Sequence, residues 1–205
     1  MKEQFYIKSY AHIKNQAIWL NGHLLYRDEV EDFSTFIRNT YKILTTDYSK
    51  FFKMDNLSKL AFLTADVLLK EENLSVEENN IALIFSNKAS SLDTDRKYQE
   101  SIENSDGYFP SPAVFVYTLP NICLGEISIK HKLYSENSFF IFDHFNAEHL
   151  HLYANNLLRT GKADKVLCGW INIDKNSYGS FLYLVEKEGE IEHNTKEINS
   201  LYNIL

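Results

Sequence analysis

Proline and glycine are scarce in this chain, three and seven among 205 residues. That scarcity excludes collagen-like, proline-rich and low-complexity architectures, which need one or both in quantity. Sulfur is equally sparse. Two cysteines cannot build the disulfide framework of a small secreted domain, and Cys123 and Cys168 each lie inside an apolar run, the setting of a buried reduced thiol. No run approaches the ~18 consecutive apolar residues of a membrane-spanning helix. The opening MKEQFYI has no apolar stretch of signal-peptide length, so the expectation is a cytoplasmic chain. Positive charge is in deficit, with 21 Lys and Arg against 28 Asp and Glu and a net charge of −7. Nucleic acid and an anionic membrane surface are therefore excluded as expected partners, because both need a basic footprint.

Aromatic residues are abundant. Thirteen Tyr and fourteen Phe, within a hydrophobic fraction of 44%, supply an aromatic core large enough for one unit, and the expected domain is single, 1–205. Strand and helix patterns alternate. A strand begins at 5–7, and a helix follows at 30–41. Asp55 has the chemistry of an N-cap, with Leu57, Leu60, Ala61, Thr64, Ala65 and Leu68 behind it at helical spacing. The run 81–85 is continuously apolar and reads as a strand covered on both faces. Residues 86–106 are polar, with a helix at 94–103 preceded by an N-cap at Ser90 or Ser91. Pro110 and Pro112 introduce a helix at 113–117. A strand at 138–142, a helix at 147–159 and strands at 165–173 and 180–186 complete an α/β pattern.

The segment 138–170, SFFIFDHFNAEHLHLYANNLLRTGKADKVLCGW, carries a more specific signal. Gly161, Ala163 and Asp164 close a helix and lead into the apolar run Val166, Leu167, Cys168, which resembles the β-ketoacyl synthases. That family places its nucleophilic cysteine about four to five helical turns before this glycine, where a strand ends and the helix begins. Counting back reaches Asp143-His144-Phe145, and no cysteine is there. Residues 117–129 resemble the family's Pro-Asn stretch, 132–137 stand where it has a Gly-rich turn, 51–62 resemble the opening of its first long helix, and 178–186 the strand closing its first half. The resemblance implies the N-terminal half of a thiolase-like fold, a mixed, mostly covered β-sheet with flanking helices. It also implies that 205 residues end soon after that half, without the half that supplies the catalytic histidines, and that the family's dimer strand is Ser138, Phe139, Phe140, Ile141 and Phe142.

Position 144 cannot do thiolate chemistry, because an imidazole acts as base, acid or ligand and does not readily carry an acyl thioester intermediate. His144, Glu148 and His151 share one helix face if the helix reaches back to 144, and a carboxylate there could hold an imidazole as general base. The other reading is a polar helix face, Glu148, His151, Asn155 and Arg159, opposite the apolar stripe Leu150, Tyr153, Ala154, Leu157 and Leu158. No third or fourth metal ligand is in view, and no cofactor motif is present. Cys123 would serve as a displaced nucleophile only with a nearby cation or helix start to lower its pKa. Two basic clusters, Lys130, His131, Lys132 and Arg159, Lys162, Lys165, are docking candidates for an acidic carrier protein, or solvated faces.

Three functions follow as expectations. The first is a non-condensing, chain-length-factor-like auxiliary subunit of fatty-acid or polyketide biosynthesis, which the resemblance extends to aryl-polyene or flexirubin-like pathways. Its partners would be an acyl carrier protein, a complete ketosynthase or a second copy of itself. The second is an acyl-thioester enzyme using His144 or His151 as base with Glu148. The third is a structural or small-ligand-binding domain.

Overall fold

The computed structural model describes residues 3–103, 109–175 and 177–204. The chain begins with a strand meander, β1 (Tyr6–Lys14), β2 (Ala17–Leu20) and β3 (His23–Arg27). Each turn of the meander has two residues, and all four adopt positive φ: Asn15 and Gln16, then Asn21 and Gly22. That is the mirror-image turn that matches the twist of paired strands. The periodicity reading missed β2 and β3, although Asn21-Gly22 between two apolar runs is the usual sequence mark of such a hairpin.

Helix α1 (Phe33–Ile43) starts three residues later than its apolar spacing suggested. The Asp32 carboxylate accepts from the Thr35 amide at 2.7 Å and fixes the first turn there. A short 3-10 turn, Ser49–Lys53, leads to α2 (Asn56–Leu69), whose cap is Asp55, accepting from the Ser58 amide at 2.9 Å. Helix α2 is buried on nearly every side, from Leu57 through Leu69 with the sole exception of Lys59. Strand β4 (Ile81–Asn87) is buried throughout, as a doubly covered strand must be. Ser86 and Asn87, expected in a loop, finish this strand, and α3 (Leu92–Ile102) follows. Ser91 occupies the N-cap position, but its hydroxyl bonds the Asp95 carboxylate and the Thr118 carbonyl rather than a helix amide. The rest of the expected polar stretch, 104–106, lies outside the described residues.

Helices α4 (Pro112–Val116) and α5 (Ile122–His131) precede β5 (Asn137–Ile141), α6 (Ala147–Arg159), β6 (Lys165–Asp174) and β7 (Ser177–Glu186). Strand β8 (Ile191–Glu192) and α7 (Thr195–Tyr202) come last. Helices α5 and α7 were not anticipated. Asn194 caps α7 by accepting from the Glu197 amide, a signal readable in Asn194-Thr195-Lys196-Glu197.

The strands form one mixed sheet in the order β3-β2-β1-β7-β6-β4-β5, with β8 beside β1. Strands β4, β5 and β6 are parallel, β7 runs against β6, and β1 runs against β7. Strand β1 therefore points the same way as the parallel set, and of β1, β7, β6, β4 and β5 it is β7 that is reversed. One face packs Ile13, Phe85, Leu167 and Leu184 against α2 and α5. The other packs Ile84, Cys168, Phe181 and Tyr183 against α6, with α7 beside α6. Among the described residues no helix is long and apolar enough to cross a membrane.

Candidate functional site

The parallel set and β1 end at a common edge, with Lys14, Asn87, Ile141 and Asp174 as their last residues. In open α/β sheets ligands bind outside the carboxyl ends of such strands. Here the edge is drawn together locally: the Asn172 side-chain oxygen accepts from the Lys88 and Ala89 amides at 3.1 and 3.0 Å.

At this edge β5 turns through 142–146 into α6, the strand–turn–helix that the resemblance implies. Asn146 caps α6, accepting from the His149 amide at 2.9 Å, so the helix begins after His144 rather than at it. His144 is exposed in the turn, Glu148 is exposed in the first turn of α6, and His151 is half-buried further along. Among the described residues no hydrogen bond or ion pair joins the three, so the row drawn on one continuous helix is not assembled. His151 instead approaches the Asn155 amide at 3.3 Å and lies 4.9 Å, ring to ring, from His193. His193 lies on the segment between β8 and α7, with Nδ1 2.9 Å from the Asn155 side-chain oxygen. Burial, reinforced by His151, pushes the His193 imidazole down to about 3, and burial also lowers His151. The inner part of the polar row thus meets the C-terminal segment, while Glu148 and Arg159 keep to water.

The residue after His144 turns inward. Phe145 stacks on Tyr202 of α7 at 4.1 Å and meets Phe181 and Trp170 edge-on at 5.8 and 6.3 Å. Beyond this cluster His12 of β1 stacks on Phe181 at 4.7 Å. His12, Trp170, Tyr178, Phe181 and Tyr202 line a cavity of about 390 Å³. Neither His12 nor this cavity was visible to the sequence argument, because His12 is a lone polar residue within an otherwise apolar strand.

Both cysteines are buried completely, Cys123 in α5 and Cys168 in β6. Burial pushes both thiols up, which leaves neither thiolate available as a displaced nucleophile. The basic clusters are also dispersed. His131 is buried against Asp66 at 3.3 Å, Lys130 donates to the Asp47 carbonyl, Lys165 pairs with Glu72 and Glu186, and Lys162 lies 3.8 Å from Glu136. Among the described residues no group of three or more His, Cys, Asp or Glu could hold a metal ion.

No family model and no curated protein matches the sequence. Solved structures do match in shape. The ishigamide ketosynthase/chain length factor superposes with a TM-score of 0.62 at 16% identity, over 89% of this chain and 62% of that one. The fold is ketosynthase-like. A chain of the ketosynthase ApeO in complex with its chain length factor ApeC, from Xenorhabdus doucetiae, matches with a TM-score of 0.60 at 14% identity, over 99% of this chain and 92% of that one. A third match comes from AntDE with AntF, a type II polyketide synthase acyl-carrier protein in complex with its ketosynthase. There the TM-score is 0.59 at 14% identity, over 91% of this chain and 63% of that one. The chain thus spans less than two thirds of the length of the first and third of these ketosynthase-like chains, and nearly all of the second. Within this fold the turn before α6 presents His144, and the two thiols, Cys123 and Cys168, lie elsewhere in the core.

Proposed function

We propose that this chain is a non-condensing, chain-length-factor-like subunit that pairs with a complete ketosynthase working on a carrier-bound acyl chain. The observation that carries the reading is the turn between β5 and α6: the side chain it exposes is the imidazole of His144, and both thiols are sealed in the core. An imidazole there can exchange protons but does not hold an acyl group stably through a transfer cycle. The match to nearly the whole length of a chain in a ketosynthase–chain-length-factor complex supports the same reading.

The docking element is the outer edge of β5. Its ladder to β4 uses the Glu136 carbonyl and the Phe142 amide. By strand alternation, the amides of Phe139 and Ile141 point outward, and among the described residues β5 has no second neighbour. Such an edge is a template for another strand. Ile141, 50% exposed at the end of this strand, adds apolar area that a partner would cover.

The test is light scattering after size exclusion, with this chain mixed with a complete ketosynthase from the same genome. Ile141→Pro removes one outward amide without touching the ladder to β4. A one-to-one complex that is lost in Ile141→Pro at unchanged thermal stability is expected. No association, or association indifferent to Ile141→Pro, overturns the reading.

A further inference from the structure

The cavity at the carboxyl edge holds a feature that packing alone does not explain. His12 is 3% exposed, and neither ring nitrogen has a hydrogen-bond partner. Buried polar groups are nearly always satisfied, since leaving one unpaired forfeits the hydration it had in the unfolded chain. The Leu201 backbone faces the ring and favours its protonated form without closing a hydrogen bond, while burial and then Lys14 hold the imidazole down to about 4. Near neutral pH the ring is therefore uncharged, with one nitrogen a donor and the other an acceptor. Four aromatic rings, Trp170, Tyr178, Phe181 and Tyr202, share the remaining walls with Lys14 and with the polar residues Asn172, Ser177, Ser180 and Asn203. At about 390 Å³ the space falls in the ~300–1,000 Å³ range of small-molecule sites. Phe145 links it to the exposed turn at His144 through its stack on Tyr202.

We propose that this cavity binds a flat aromatic or conjugated molecule bearing a hydroxyl, which stacks on the aromatic rings of the lining and donates its proton to the unpaired nitrogen of His12. The three observations that select this class are the planar walls, the neutral acceptor and the position at the carboxyl edge of the parallel strands. A saturated chain would leave the imidazole as unpaired as before and would not stack on the rings. The site does not depend on partnership with a ketosynthase.

The probe pair is 2-naphthol and 2-methoxynaphthalene, equal in ring system and different in the one donated proton. Titration calorimetry on the full chain is expected to give 2-naphthol the tighter binding by about fivefold to tenfold, the worth of one net hydrogen bond. The chain has two Trp, so two indole signals suffice to place the ligand: that of Trp170 should shift and that of Trp19, in β2, should not. In His12→Phe, which keeps a ring against Phe181, the preference should vanish. Equal binding of the two probes by the native chain overturns the proposal without any variant, and so does absence of binding. A preference that persists in His12→Phe, or a shift at Trp19 alone, overturns it as well.

Discussion

Asp66 offers the sharpest test of how the buried helix α2 is held. Its side chain is fully buried, and three elements converge on it: Thr46 after α1 donates at 2.6 Å, Lys70 pairs at 2.9 Å, and His131 at the end of α5 lies at 3.3 Å. Burial by itself pushes the carboxyl up. Bonds to His131, Thr46 and Lys70 outweigh that and hold it below the usual carboxylate range. Asp66→Asn keeps the shape, removes the charge and turns an amide donor toward groups that are themselves donors. Charge-assisted hydrogen bonds contribute ~1.5–3 kcal/mol net, and the half-exposed Lys70 adds little, so the expected loss is about 2–4 kcal/mol. For a domain near 200 residues that is a fall in Tm of about 4–16 °C, at ~2–4 °C per kcal/mol. The effect must also follow pH. A carboxyl whose folded pKa is depressed contributes stability that is present above its unfolded value, near ~4, and is lost as pH falls through the folded value. Urea unfolding of native chain and variant between pH 7 and 3 should show a gap that is constant above ~4.5 and closes below it. A loss under ~0.5 kcal/mol, or a gap independent of pH, refutes the account of Asp66 as the tie between these elements.

Three further outcomes follow from the core. Gly169→Ala places a Cβ 2.0 Å from the Phe181 carbonyl oxygen and 2.9 Å from Leu182 Cα, so β6 and β7 must part, and the loss should be about 3 kcal/mol or more by thermal melt; a loss under 1 kcal/mol contradicts the strand register. Cys123 and Cys168 should resist a thiol reagent such as Ellman's reagent in the native chain and react fully in denaturant, and rapid native labelling of either contradicts their burial. His12 and His193, depressed to about 4 and about 3, stay neutral in the fold while the unfolded chain takes up protons below ~6.5. Stability should therefore fall as pH drops from 6.5 toward 4, by up to ~1.4 kcal/mol per pH unit for each group, and His193→Gln should flatten the slope.

The sequence was informative where local chemistry and periodicity agreed. Helix α6 runs over the residues its spacing marked, and Asp55 caps α2. The strand, turn and helix around His144 are where the resemblance put them. The meander β2-β3 escaped notice because its strands are short and half-exposed, leaving the Asn21-Gly22 turn as their main signal. Helix α7 is eight residues long and amphipathic only over two turns, so its existence depends on packing against α6. The same dependence explains the polar row on α6: Glu148 and Arg159 face water as an isolated helix would predict, whereas His151 and Asn155 meet His193, a partner 38 residues beyond Asn155. The His12 cavity is the least legible feature, being assembled from β1, β6, β7 and α7 with no motif in any of them.

The central claim is that the turn before α6 carries no acyl-accepting nucleophile. Its most direct test is intact-protein mass spectrometry after incubation with an octanoyl-loaded acyl carrier protein, with a complete ketosynthase as positive control. The account predicts an unchanged mass for this chain and an acyl adduct on the control. An octanoyl adduct on this chain that survives desalting and disappears in His144→Ala would contradict it.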